Sequence, residues 1–207
     1  MVRELIFIRH GQTEWNASGR LQGRADSPLT DLGRLQVQAH LSWLAPVKPD
    51  LIVASPLGRT QATAKILADA LQLGVEVDPR LEERCMGQYE GWTLEEVSAV
   101  APEEADRRDA DPWNYRAPGG ENYDDMVERV APLVDELIAR PANRIVVVSH
   151  GTLVRPLLGR LLSLEQQTML RLRQPNAVAY QVRLDPAPHE VVRWEDGRSA
   201  PGLLLSD

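Results

Sequence analysis

The sequence predicts an α/β fold, a three-layer sandwich whose mostly parallel central sheet carries helices on both faces. Three observations lead there. Short apolar runs of strand length recur at residues 5–8, 50–54 and 144–149. Longer segments with helical spacing and helix-start signals lie between them. No repeat or low-complexity stretch breaks the alternation.

Taken in order, Leu5-Ile6-Phe7-Ile8 reads as a buried strand ending at Arg9-His10-Gly11. Residues 16–29 are rich in Gly, Ser, Asn and Asp and read as loop. Thr30 is placed to cap a helix running to about Leu44, with Leu32, Leu35, Ala39 and Leu41 on its apolar side. Residues 50–54 form the second strand. Ser55-Pro56 has the form of an N-cap followed by a proline at the first helical position, opening a helix to about Leu71. Val75-Glu76-Val77 is a short third strand. Thr93 and Glu96 have capping-box spacing and start another helix. Residues 101–121 read as irregular, because prolines, aspartates and glycines recur there. Residues 123–140 make a long amphipathic helix despite Pro132. Residues 144–149 are the clearest buried strand and end at His150-Gly151. A helix over about 153–162 follows, then late strands over 177–184 and 190–194.

A chain of 207 residues suits one domain over 1–207, with a small insertion around 93–121. Its net charge is −7 and it has no dense basic run, which argues against nucleic acid or an anionic membrane surface as partner. The single cysteine, Cys85, excludes an intramolecular disulfide. The apolar run at 5–8 is too short for a signal peptide or a membrane span, so a cytoplasmic setting is the expectation.

Only four histidines occur: His10, His40, His150 and His189. His10 and His150 each follow an apolar strand and precede a glycine. Ligands of open α/β sheets bind at the carboxyl ends of the strands, so both stand at the functional edge. If the two strands are neighbours, both imidazoles meet over one ligand. Arg9 adjoins His10, Arg59 lies one turn into the helix after the second strand, and Asn16 and Gln22 follow the first strand. Such a gathering of donors suits a phosphate group. A lone strand-end histidine is more often structural; two in the same context, with arginines nearby, are not. His40 and His189 read as structural or solvated, and Cys85 as a packed residue rather than a nucleophile.

Residues 5–16, containing Arg9-His10-Gly11, resemble the Arg-His-Gly motif of the histidine phosphatase superfamily, in its phosphoglycerate mutase-like branch. Further segments resemble it in the same order: Leu21-Gln22-Gly23 with Asp26, Pro28-Leu29-Thr30 and Gly33; Ser55-Pro56-Leu57-Gly58-Arg59 with Thr63-Ala64. Leu81-Glu82-Glu83-Arg84 ahead of Gly87 and Glu90-Gly91 follows, then Gly119-Gly120-Glu121 and the strand ending in His150-Gly151. The resemblance spans roughly residues 5–180. Asn122 stands where the family often has Ser, and Thr60 where Ala is common. The stretch Cys85-Met86 offers no histidine, which speaks against a phosphoserine phosphatase.

The resemblance implies a phosphoglycerate mutase-like fold, with the 93–121 insertion bordering the active site. It implies that His10 attacks phosphorus and forms a phosphohistidine, held neutral by neighbouring Arg9 and Arg59. A carbonyl hydrogen bond to its other ring nitrogen would fix the tautomer. Arg9, Asn16, Arg59 and His150 would clamp the transferring oxygens, His150 in its protonated form. Gln22, Gly23, Gly151 and Thr152 join the expected binding residues. Glu83, four residues before Gly87, is the expected acid and Glu82 its rival; in an extended segment only one of the two can face the pocket. Neither metal nor organic cofactor is implied. The leading expectation is a metal-independent phosphatase for a small phosphorylated metabolite. A cofactor-dependent phosphoglycerate mutase is the runner-up, and a non-catalytic phosphate-binding module a third. A homodimer is compatible with all three.

Overall fold

The computed structural model describes residues 2–185 and 189–206. Its centre is a seven-stranded sheet in the order β3-β2-β4-β1-β5-β6-β7. The strands are β1 (Glu4–Arg9), β2 (Leu51–Ala54), β3 (Val75–Val77), β4 (Arg144–Ser149), β5 (Val178–Arg183), β6 (Glu190–Glu195) and β7 (Arg198–Pro201). β3, β2, β4 and β1 pair in parallel, while the late strands β5, β6 and β7 join antiparallel. The helices are α1 (Glu14–Ala17), α2 (Asp31–Val47), α3 (Gly58–Leu71), α4 (Leu94–Val100), α5 (Pro102–Ala110), α6 (Tyr123–Ala139), α7 (Val154–Leu162) and α8 (Gln166–Arg171).

Side chains alternate across the parallel strands, and this builds the three layers. Leu5, Phe7, Val53, Ile145 and Val147 pack on one face with Met126, Val130 and Leu133 of α6 and Leu157 and Leu158 of α7. Ile6, Ile8, Ile52, Ala54, Val146 and Val148 pack on the other with Val37 and Leu44 of α2 and Ala64 and Leu67 of α3. Both faces are dry, which explains why these strands read as unbroken apolar runs.

Local signals set most helix starts. The Thr30 hydroxyl accepts from the Gly33 amide, and Thr93 and Glu96 close the expected capping box. Five local expectations need correction. The loop over 16–29 begins inside α1, capped by Thr13 and Asn16. On α2, Leu32 and Leu35 are 51% and 62% exposed, and Ala39 is exposed as well. The buried residues of α2 are Gly33, Val37, His40, Trp43 and Leu44, so His40 is a core residue. Ser55-Pro56 does not cap α3, whose N-cap is Leu57; Ser55 is spent on a contact described below. The segment expected to be irregular holds α5, which begins at Pro102 in the first helical turn and carries acidic residues there. α8 and β7 are additions that the sequence reading did not contain.

Candidate active site

β1 and β4 are paired in register, with Arg9 opposite Ser149. The next residues are His10 and His150, and the His10 amide donates to the Ser149 carbonyl at 3.0 Å. Their rings stand 5.3 Å apart between centroids, inclined by 61°. The chain turns away from His10 by pressing backbone on backbone against the start of α2. A Cβ on Gly11 would lie 2.3 Å from the Gly33 carbonyl oxygen, and one on Gly33 would lie 2.1 Å from that of Gln12. Both positions therefore exclude a side chain.

His10 is buried, and its Nδ1 lies 2.8 Å from the Gly11 carbonyl oxygen. A carbonyl only accepts, so Nδ1 carries the proton and Nε2 keeps its lone pair. Burial pushes the pKa well below the ordinary histidine value, and the Arg9 and Arg59 charges push the same way.

Arg59 is almost wholly buried near the start of α3. It donates to the carbonyls of Ala25 at 2.7 Å and Gly23 at 2.7 Å, and pairs with Asp26 at 3.1 Å. Arg9 donates to the Gln174 carbonyl at 2.9 Å. The Nε atoms of Arg9 and Arg59, and Nδ1 of His150, are buried without a hydrogen-bond partner. Each such atom costs on the order of 1–3 kcal/mol, so three around one histidine mark a place suited to an anion. Arg9, His10, Asn16, Gln22, Gly23, Arg59, Glu83 and Thr152 line a common cavity of about 190 Å³.

His150 departs from the protonated form expected of it. It is fully buried, and burial, Arg59, His10 and Arg9 together hold its pKa well below the ordinary value. The free protein therefore carries two neutral histidines here. His150 Nε2 lies 2.9 Å from the Ser55 hydroxyl. The Leu57 amide also donates to that hydroxyl, at 3.4 Å.

The two adjacent carboxylates diverge. Glu82 pairs with Arg24 at 3.1 Å. Glu83 turns into the cavity wall and accepts three amide protons, from Arg84 at 2.9 Å, Leu153 at 3.0 Å and Thr152 at 3.1 Å. Asn16 spends its Oδ1 on the Thr13 amide and on Asn176, which leaves its amide nitrogen as a donor. Gln22 accepts from Ser27 at 3.4 Å. Gly23 has φ +54°, and a Cβ there would meet the Glu90 carboxylate at 2.2 Å. Gly151 packs under the Arg9 guanidinium, where a Cβ would lie 3.0 Å from Cζ.

Residues 93–121 put no side chain into this wall. They reach it indirectly, through the Arg20–Glu96 ion pair at 2.9 Å and the bond from the Arg84 side chain to the Glu121 carbonyl at 2.8 Å. Three residues of the site had no role there in the sequence expectations. Asn176 donates to the His10 carbonyl at 2.8 Å and to Asn16. Thr63 accepts from the Gly11 amide at 3.1 Å. Ser55, read as a cap, instead orients His150. The run Gln174-Pro175-Asn176 just before β5 was the available signal for Asn176.

A family model described as "Histidine phosphatase superfamily (branch 1)" matches residues 5–197. A curated relative from Mycolicibacterium vanbaalenii, named "Glucosyl-3-phosphoglycerate phosphatase", is 42% identical over 173 residues, covering 79% of this chain and 76% of the relative. One from Erwinia tasmaniensis, named "Probable phosphoglycerate mutase GpmB", is 35% identical over 195 residues, covering 92% and 89%. The crystal structure of the alpha-ribazole phosphatase from Shigella flexneri superposes with a TM-score of 0.82 at 26% identity, covering 98% of this chain and 96% of that one.

Proposed function

We propose, from the premise that the chain belongs to the histidine phosphatase superfamily (branch 1), that it hydrolyses a small phosphomonoester through a phosphohistidine. The observation that carries this reading is His10 itself. It is buried beside two arginines, neutral, and locked as the tautomer whose Nε2 lone pair is free. That is the state a nitrogen nucleophile needs.

In the first step His10 Nε2 forms a bond to phosphorus as the ester P–O bond breaks. Glu83, in its protonated form, hands its proton to the departing oxygen. Arg9, Arg59 and the amide of Asn16 neutralise the charge spread over the transferring oxygens. The incoming phosphate charge also favours a proton on His150, so His150 becomes cationic with substrate bound. In the second step water attacks the phosphohistidine, Glu83 takes its proton, and phosphate leaves with His10 restored. The arginines and His150 supply the positive charge, so no metal enters the reading.

Interconversion of phosphoglycerates is the second reading, favoured by the name of the Erwinia relative. Both reactions share the phosphohistidine and differ in its exposure to water. Because α4 and α5 stand outside the cavity wall, water keeps its access and hydrolysis is preferred. The described residues include no helix long and apolar enough to cross a membrane. A cytoplasmic location and a small phosphorylated metabolite as partner belong to the same proposal.

The test is hydrolysis of p-nitrophenyl phosphate in excess EDTA by wild type and His10→Ala. Activity that survives EDTA and vanishes in the variant is the expected result. Full activity in the variant would remove His10 from the mechanism, and wild-type activity lost to EDTA would overturn the metal-free reading.

A further inference from the structure

Glu90 belongs to the Glu90-Gly91 pair of the sequence and has no part in the chemistry described so far. It ends the short helical turn over Gly87–Tyr89 and stands outside the cavity wall. Among the described residues its carboxylate forms no ion pair. It accepts three backbone amides instead. Arg24 at 2.9 Å and Met86 at 3.1 Å donate to Oε1, and Ala25 at 2.9 Å donates to Oε2. Gly23 permits this approach, because a Cβ there would lie 2.2 Å from Oε1.

The same loop holds Arg59 by its opposite edge. Arg59 Nη2 donates to the Gly23 carbonyl and Nη1 to the Ala25 carbonyl, each at 2.7 Å. The Gly23 carbonyl and the Arg24 amide are the two ends of one planar peptide unit. Glu90 therefore holds the N–H edge of that plane and Arg59 its C=O edge. Turning the plane would break both bonds, so the carboxylate fixes where the carbonyl points. Its bond to the Ala25 amide steadies the residue whose carbonyl takes Nη1. Asp26 also holds Nη1, but among the described residues Nη2 has no acceptor other than the Gly23 carbonyl. We propose that Glu90 is a positioning residue for Arg59: through the loop over 23–25 it aims the guanidinium at the transferring phosphoryl oxygens without touching the substrate. The inference rests on the reading of Arg59 as a phosphate clamp and assigns what sets that clamp.

A double-mutant cycle tests it. Glu90→Gln keeps the size and one oxygen but sets an N–H against at least one of the three amides, and Glu90→Ala releases all three. The value of kcat/KM for p-nitrophenyl phosphate is compared among wild type, both Glu90 variants, Arg59→Ala and the two double variants, with folding checked by circular dichroism. Glu90→Gln should lose about tenfold and Glu90→Ala up to about 10²-fold, the cost of a misplaced clamp. In the Arg59→Ala background either change should cost less than about twofold, because nothing is left for the loop to aim. A carboxylate that only staples the loop would cost the same factor in both backgrounds. That result, or wild-type kcat/KM in Glu90→Ala, would overturn the proposal. Either Glu90 variant completes the cycle alone, and failure of both to fold would show the carboxylate to be structural and overturn it as well. A wild type that hydrolyses nothing would overturn the phosphatase reading, and the same cycle, read as calorimetric affinity for inorganic phosphate, would then decide on Glu90 by itself. No phosphate binding by the wild type would overturn both.

Discussion

Replacing Glu83 by Gln separates the proton delivery proposed for it from the backbone contacts that this side chain makes. The amide keeps an oxygen for the Arg84 and Leu153 amides but sets an N–H against that of Thr152. One lost hydrogen bond to a charged group costs about 1.5–3 kcal/mol of stability, within reach of a folded domain. The chemical cost depends on the ester. Loss of a positioned acid removes about 10²–10⁴-fold where the leaving oxygen must be protonated. It removes little where nitrophenolate departs unaided. The assay is kcat/KM across a series from p-nitrophenyl to alkyl phosphates, because kcat/KM reports only the steps through phosphoryl transfer. Glu83→Gln should lose about 10²–10⁴-fold with alkyl esters and less than about tenfold with the nitrophenyl ester. Its kcat should fall for every substrate, since the same carboxylate takes the proton from water in the second step, and a burst of nitrophenolate should precede slow turnover. Glu82→Gln, which breaks only the pair with Arg24, should follow wild type. Equal loss of kcat/KM along the series, or leaving-group dependence appearing in Glu82→Gln instead, would refute the assignment.

Arg59→Ala removes a preorganised donor and should cost at least on the order of 10²-fold in kcat/KM; near-wild-type turnover by a folded variant would take Arg59 out of the mechanism. Gly33→Ala places a Cβ 2.1 Å from the Gln12 carbonyl oxygen. It should lower stability by about 1–3 kcal/mol in urea titration and reduce activity by shifting the turn after His10; an unchanged midpoint would show that this contact relaxes freely. His40 should make the fold acid-sensitive. Burial lowers its pKa to about 4, against the opposing charge of Asp196. The unfolded chain therefore takes up a proton first as pH falls below about 6.5. The contribution is complete above that pH and is lost on the way down to pH 4, on the order of 3 kcal/mol in all. His40→Leu should flatten this part of the urea-midpoint profile. His10 and His150 keep a slope of the same sign, and an identical slope in the variant would refute the account.

What the sequence made legible is what neighbours in the chain decide. The strand-His-Gly pattern is a local signal at both His10 and His150, and the cap at Thr30 and the box at Thr93 and Glu96 are closed by residues three positions apart. The α2 stripe failed because Leu32 and Leu35 attract a hydrophobic reading, whereas the buried positions include a glycine and a histidine. Gly33 is buried for lack of a side chain, at the place where the turn after His10 must touch the helix. Ser55 failed for another reason. Its local context is that of a cap, but its partner His150 lies 95 positions away. Asn176 reaches the His10 carbonyl across 166 positions. Alternation did establish that only one of Glu82 and Glu83 could face the site, and the start of α7, with its free amides, took Glu83. The charge of His150 was out of reach for the same reason as its partner. Sequence names the ionisable group, but burial, which comes only from folding, is the largest cause of its shift. The site is thus written locally at each strand end and completed by contacts that no window of the sequence contains. The histidines, and the neutral state of His10 beside Arg9 and Arg59, could therefore be named from the sequence, while the neutral state of His150 could not.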